Sequence, residues 1–120
     1  MKELLVKKRA ETKLKLDKSI LATGGRKSSR ARVWLLQSDK DDIIVNGKSL
    51  ETYFPTSALS SRIRKPLILA GVAEKYSVVI NVNGGGVSGQ ADAVAHGLSR
   101  ALASLDLRIK TLMRSSGLLT

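Results

Sequence analysis

The chain has no cysteine, which excludes a disulfide framework and any thiolate metal site and suits a reducing compartment. Its one histidine, His96, cannot build a multi-histidine metal centre. The aromatics are only four, Trp34, Tyr53, Phe54 and Tyr76, so the core must be aliphatic. They are too few for a platform on which several bases stack. No apolar run is long enough to span a bilayer, so no membrane partner is expected. The N-terminus lacks the compact apolar stretch of a secretory signal. Acidic residues are also scarce, 10 against 21 basic ones, for a net charge of +11.

The surplus is unevenly placed. Residues 1–32 hold eleven basic and three acidic residues, +8, while the other 88 hold ten and seven, +3. A basic arm on a nearly balanced body is a footprint of nucleic-acid binding. The bland alternative is a solubilising tail. It is disfavoured because the basic run continues into a strand that must pack on the core. At 120 residues the chain is one domain with one core in two packed layers. Residues 1–22 read as a basic extension, weakly ordered alone and shaped by a partner, and 23–120 as the globular domain.

One stretch organises the rest. Ser77 to Val82 is β-branched and reads as a buried strand. Gly84, Gly85 and Gly86 follow, then Ser88 as a candidate N-cap. The helix after it carries Ala91, Val94, Ala95, Leu98, Ala101, Leu102 and Leu105 on one stripe. Asp92, His96, Ser99 and Arg100 fall on the other side. Such a loop points backbone N–H groups outward beside a helix N-terminus, a geometry that attracts anions. Three glycines exceed what a turn needs, which suggests a polynucleotide backbone lying against them.

Upstream, Gly24, Gly25, Arg26, Lys27, Arg30 and Arg32 combine a supple backbone with cations suited to phosphate. Val33 to Leu36 reads as a strand in which Arg30 and Arg32 share one face and Ala31 and Val33 the other. It is expected to pair as a hairpin with Ile43–Val45, across the polar turn at residues 38–42. Asn46-Gly47 closes that second strand. Pro55 opens a short helix over Thr56–Ile63 with Arg62, Arg64 and Lys65 clustered at its end; Pro66 stops it, and Pro66–Val72 is a second apolar turn or helix ending near Gly71. Glu74 and Lys75 form a polar bend. A final amphipathic helix spans Leu107 to Met113, with Gly117 as its C-cap.

The loop Gly84-Gly85-Gly86-Val87-Ser88-Gly89 satisfies G-x-G-x-x-G between a strand and a helix, so a small nucleotide-binding enzyme is a rival reading. It is disfavoured because no second parallel strand with a ribose-binding carboxylate follows. Ser88, Asp92 and His96 lie on one helical stripe and diverge, so no catalytic residue is assigned. Asp92 is expected to pair locally, four residues along its own helix. An RNA-binding module outside the ribosome is a third reading.

Three blocks then carry a resemblance. TGGRKSSRARV at Thr23–Val33, IIVNGKSLETYFP at Ile43–Pro55 and VINVNGGGVSGQADAVAHGLSRAL at Val79–Leu102 resemble small-subunit ribosomal protein nine in its bacterial and organellar form, and the final SSGLLT fits as well. The resemblance implies an α/β (α+β) fold, a two-layer mixed sheet with helices on one face and a left-handed βαβ crossover. It implies a structural protein, without enzymatic activity or cofactor, bound to small-subunit ribosomal RNA beside other proteins of the subunit head. The residues implied at RNA are Arg26, Lys27, Arg30, Arg32, the Gly84–Gly89 loop, Gln90 and His96. Gly24, Gly25, Arg62, Arg64, Lys65 and Arg100 join them on charge and position. Ala95 stands where the family commonly has an arginine, removing one contact. The family continues past this point into a basic tail that approaches transfer RNA. The sequence stops at Thr120, so no transfer-RNA contact is assigned. The long arm and Trp34 place a mitochondrial ribosome ahead of a bacterial one.

Overall fold

Strict alternation builds the central strand. In β2 (Ser29–Gln37), Ala31, Val33 and Leu35 are buried while Arg30 and Arg32 are exposed. The computed structural model describes residues 20–37, 42–71 and 76–119. β1 (Ile20–Arg26) pairs antiparallel with β2 through a two-residue turn at Lys27-Ser28, where Lys27 takes φ 56°. β1 thus begins at Ile20, within the stretch read as an arm. The weakly ordered arm over residues 1–19 lies outside the described residues, as do residues 38–41 of the polar turn and the Glu74–Lys75 bend.

β5 (Tyr76–Asn83) lies on the other side of β2, also antiparallel. β3 (Ile43–Val45) runs parallel to β5, and β4 (Lys48–Ser49) folds back on β3 through Asn46-Gly47. The order is β1-β2-β5-β3-β4. The expected hairpin between Val33–Leu36 and Ile43–Val45 does not form, because β5 inserts between them. β5 buries Val78, Ile80 and Val82 and pairs along both edges. A parallel neighbour needs a crossover rather than a tight turn, and helices supply it. The Asn46 amide lengthens the parallel ladder: its Nδ2 donates to the Val82 carbonyl at 2.8 Å and its Oδ1 accepts from the Val82 N–H at 2.8 Å.

The helices pack on one face of the sheet. α1 (Leu50–Tyr53) and α2 (Ser57–Ala70) form the crossover, α3 (Val87–Ala103) follows β5, and α4 (Leu107–Ser115) is the last described element. Pro66 was expected to end a helix but lies buried inside α2. An interior proline costs about 3 kcal/mol locally. Burial of Ile63, Pro66, Leu67 and Ala70 against the core outweighs it, at about 1.5–3 kcal/mol per large side chain. Asp106 caps α4, accepting from the Ile109 N–H at 2.8 Å.

α3 is buried around much of its circumference, between sheet, α2 and α4. Ser99, read from the sequence as lying on the polar side, is fully buried and donates to the Ala95 carbonyl at 2.7 Å. Small residues make this possible. A Cβ placed on Gly24 of β1 would lie 2.3 Å from the Ala93 carbonyl oxygen and 2.3 Å from the Gly97 nitrogen. Strand and helix backbones therefore touch directly, and Gly24 is a packing residue. Gly97 escaped the sequence reading, although a glycine inside an apolar helical stripe is the usual sign of such an approach.

Candidate nucleic-acid interface

The β1–β2 turn and the glycine loop after β5 meet at one end of the sheet. Alternation turns Ser29 inward, where it is 1% exposed and its hydroxyl donates to the Gly84 carbonyl at 2.9 Å. Gly84 and Gly85 have φ 77° and 65°, in the left-handed region that side chains rarely enter. A Cβ on Gly84 would sit 2.3 Å from the Ser28 carbonyl oxygen, and one on Gly85 2.2 Å from the Ser29 hydroxyl. The turn needs two of the three glycines for its own shape. Only Gly86 has open space around it.

Helix α3 starts one residue later than that glycine. Its N-cap is Gly86, with no side-chain cap, so Ser88 is not the cap but the second helical residue. Gly86, Val87 and Ser88 are exposed, leaving the positive end of the helix dipole facing solvent. Gln90 turns inward instead: its Oε1 accepts from the Tyr53 hydroxyl at 2.8 Å and its Nε2 donates to the Gly84 carbonyl at 3.2 Å. It braces the loop from behind.

The cations divide into two groups. Arg62 donates to Asp92 at 2.8 Å and to the Ser88 hydroxyl at 3.4 Å. Arg26 approaches the same carboxylate at 4.0 Å. Asp92 was expected to pair along its own helix. It instead joins α3 to α2 and to the β1–β2 turn, because those elements converge on it. Arg64 is bound to Glu51, and this guanidinium holds the Glu51 carboxyl below the ordinary carboxylate range. Arg100 donates to the Thr23 carbonyl at 3.1 Å. The half-buried His96 ring contacts the Leu119 carbonyl at 3.3 Å, Nε2 to oxygen, tying α3 to the end of the described chain. Among the described residues, Lys27, Arg30, Arg32 and Lys65 have no partner and are exposed.

No group of three or more His, Cys, Asp or Glu residues among those described could hold a metal ion. After α3 comes α4 rather than another parallel strand, so the topology lacks what the G-x-G-x-x-G fingerprint requires. No described helix is long and apolar enough to cross a membrane.

The profile of the family described as "Ribosomal protein S9/S16" matches residues 24–120. The chain belongs to that family. It is 45% identical over 104 residues to the small ribosomal subunit protein uS9 of Desulfovibrio desulfuricans, covering 87% of this chain and 79% of that protein. It is 46% identical over 99 residues to the uS9 protein of Lawsonia intracellularis, covering 82% and 75%. The matched span takes in every element from within β1 to the end of α4. The turn, the glycine loop and Arg30, Arg32, Arg62 and Arg64 of this family member therefore lie inside the resemblance.

Proposed function

We propose that this chain binds folded ribosomal RNA in the head of the small ribosomal subunit, through the β1–β2 turn, the outer rim of the glycine loop and the unpaired cations beside them. Membership of the family makes it a structural protein of the small subunit and not an enzyme. The observation that carries the RNA surface is the state of Lys27, Arg30 and Arg32. Among the described residues they are exposed and without a partner; Lys27 stands in the turn that meets the glycine loop before the uncapped N-terminus of α3, and Arg30 and Arg32 follow along β2 opposite Asn83 and Asn81, so free cations begin near outward-facing backbone amides and continue along the strand. Phosphate oxygens satisfy both.

In this reading Arg26, Lys27, Arg30 and Arg32 take phosphates, Gly25, Gly86 and Ser88 let the strand approach, and Lys65 adds charge at a distance. Gly24, Gly84, Gly85, Gly89 and Gln90 shape the surface from within. Arg62, Arg64, His96 and Arg100 hold elements together. Other head proteins are the neighbours. The bacterial source of both uS9 relatives supports a bacterial ribosome ahead of the mitochondrial one.

The test is binding of the full chain to small-subunit ribosomal RNA across a salt series. Each phosphate contact contributes a log–log slope of about −0.7 to −0.9. A steep slope, with the protein sedimenting in the small-subunit fraction, is the expected result. A flat response, or absence from that fraction, overturns the reading.

A further inference from the structure

The face of the sheet away from the helices carries two cross-strand rows that the proposed surface does not fully use. In register, Thr23, Arg32 and Asn81 stand side by side, and next to them Gly25, Arg30 and Asn83. All six are exposed. The rows hold two cations and no carboxylate. Neither asparagine side chain has a hydrogen-bond partner among the described residues, and neither does either arginine.

Asparagine is disfavoured in strands. Here two stand at alternate positions of a strand otherwise rich in valine and isoleucine. Nothing among the described residues rewards them. A solvated face would accept any polar residue, but these amides stand directly opposite the two unpaired guanidiniums. A guanidinium can only donate, whereas an amide both donates and accepts. Along each strand the paired positions are about 6.6–6.8 Å apart, and adjacent strands about 4.8 Å apart. Gly25 leaves the surface beside Arg30 low. The patch thus offers phosphate-binding donors and mixed donor–acceptor groups in matched pairs, on the scale of successive nucleotides.

We propose, resting on the RNA-binding reading above, that Asn81 and Asn83 contact the ribose–phosphate backbone directly. Arg32 and Arg30 take the phosphates and the amides take the ribose 2′-hydroxyls. The 2′-hydroxyl donates and accepts, which the amide matches, and it is the group that separates RNA from DNA. The sheet face is then a recognition surface for RNA over DNA, continuous with the turn.

The experiment compares the full chain with N81A/N83A on transcribed small-subunit ribosomal RNA and on DNA of the same sequence, across salt. RNA affinity is expected to fall about tenfold, the loss of two neutral hydrogen bonds, with DNA affinity and the salt slope unchanged. Chemical denaturation of the variant checks that the fold is intact. An RNA affinity within twofold of the unaltered chain, or an equal loss on DNA, overturns the assignment and leaves the broader reading standing. Failure of the unaltered chain to bind RNA overturns that broader reading instead. Independently of stability, a photo-crosslinking residue at position 83 in assembled small subunits is expected to label ribosomal RNA. Adducts to protein alone, or none, overturn the proposal.

Discussion

Two Arg-x-Arg pairs in this chain are alike as sequence and opposite in use. Arg30 and Arg32 stand on a strand, where a spacing of two puts both on one face. Among the described residues that face holds no carboxylate opposite them, and both stay unpaired. Arg62 and Arg64 stand on α2, where the same spacing sends them to different sides of the helix. One finds Asp92 on α3 and the other Glu51 on α1. Positive charge in sequence is therefore not positive charge available to a partner. Secondary structure decides whether two cations act together, and the neighbouring elements decide whether they are already neutralised.

The sharpest way to break this contrast is to remove each pair. R30A/R32A is expected to weaken RNA binding by about 150-fold or more, at about 1.5 kcal/mol or more per charged contact, and to flatten the salt slope by about 1.4–1.8. R62A/R64A should move both far less. Equal effects from the two pairs in the same titrations would erase the distinction.

The glycines divide along the same line. Gly84→Ala and Gly85→Ala should each cost about 1–3 kcal/mol, from the left-handed backbone and from contact with Ser28 and Ser29, read by urea denaturation. Gly86→Ala, with open space around it but at the N-cap of α3, should cost less, no more than about 1 kcal/mol. A large loss at Gly86 would mean that the loop is built wholly for its own packing.

Asp92→Asn releases Arg62 and Arg26. The pair is partly exposed, so stability should change by no more than about 1 kcal/mol. RNA affinity should rise two- to threefold, about 0.4–0.7 kcal/mol. A fall would place Asp92 on the binding side.

The smallest effect concerns Glu51. Its folded pKa is lowered, so its pairing with Arg64 stabilises the fold above the unfolded carboxylate value and is lost as pH falls through the lowered value. Arg64→Ala should return the Glu51 titration, followed by NMR, upward toward the ordinary range. An unmoved titration would mean that Arg64 is not neutralised there and is as free as Arg30.

Much of the fold was legible because its signals are local. Alternation placed Ala31 and Val33 inward and Arg30 and Arg32 outward. β-branched density marked β5, Asn46-Gly47 marked a turn, and small and aliphatic spacing marked α3. What misled were features whose meaning depends on contacts distant in sequence. Pro66 carries a local helix-stopping signal that core burial overrides. Two apolar strands separated by a polar stretch look like a hairpin unless a third strand claims the space between them. Ser99 reads as polar surface until two more helices and a sheet close around α3. At the interface the residue types were legible, but Gln90 turned inward toward Tyr53, and His96 turned toward Leu119.

The sequence by itself determined that positive charge gathers in residues 1–32, that the core is largely aliphatic, with Phe54 buried among the aliphatic side chains, and that a glycine loop joins a strand to a helix. These follow from composition and period, which need no partner to be read. Only the tertiary structure decided which arginines remain free, which glycines serve packing, and that Asn81 and Asn83 stand beside Arg32 and Arg30. Those outcomes depend on strand order and helix placement. Both are set by competition among all the apolar surfaces at once, and no local window contains it.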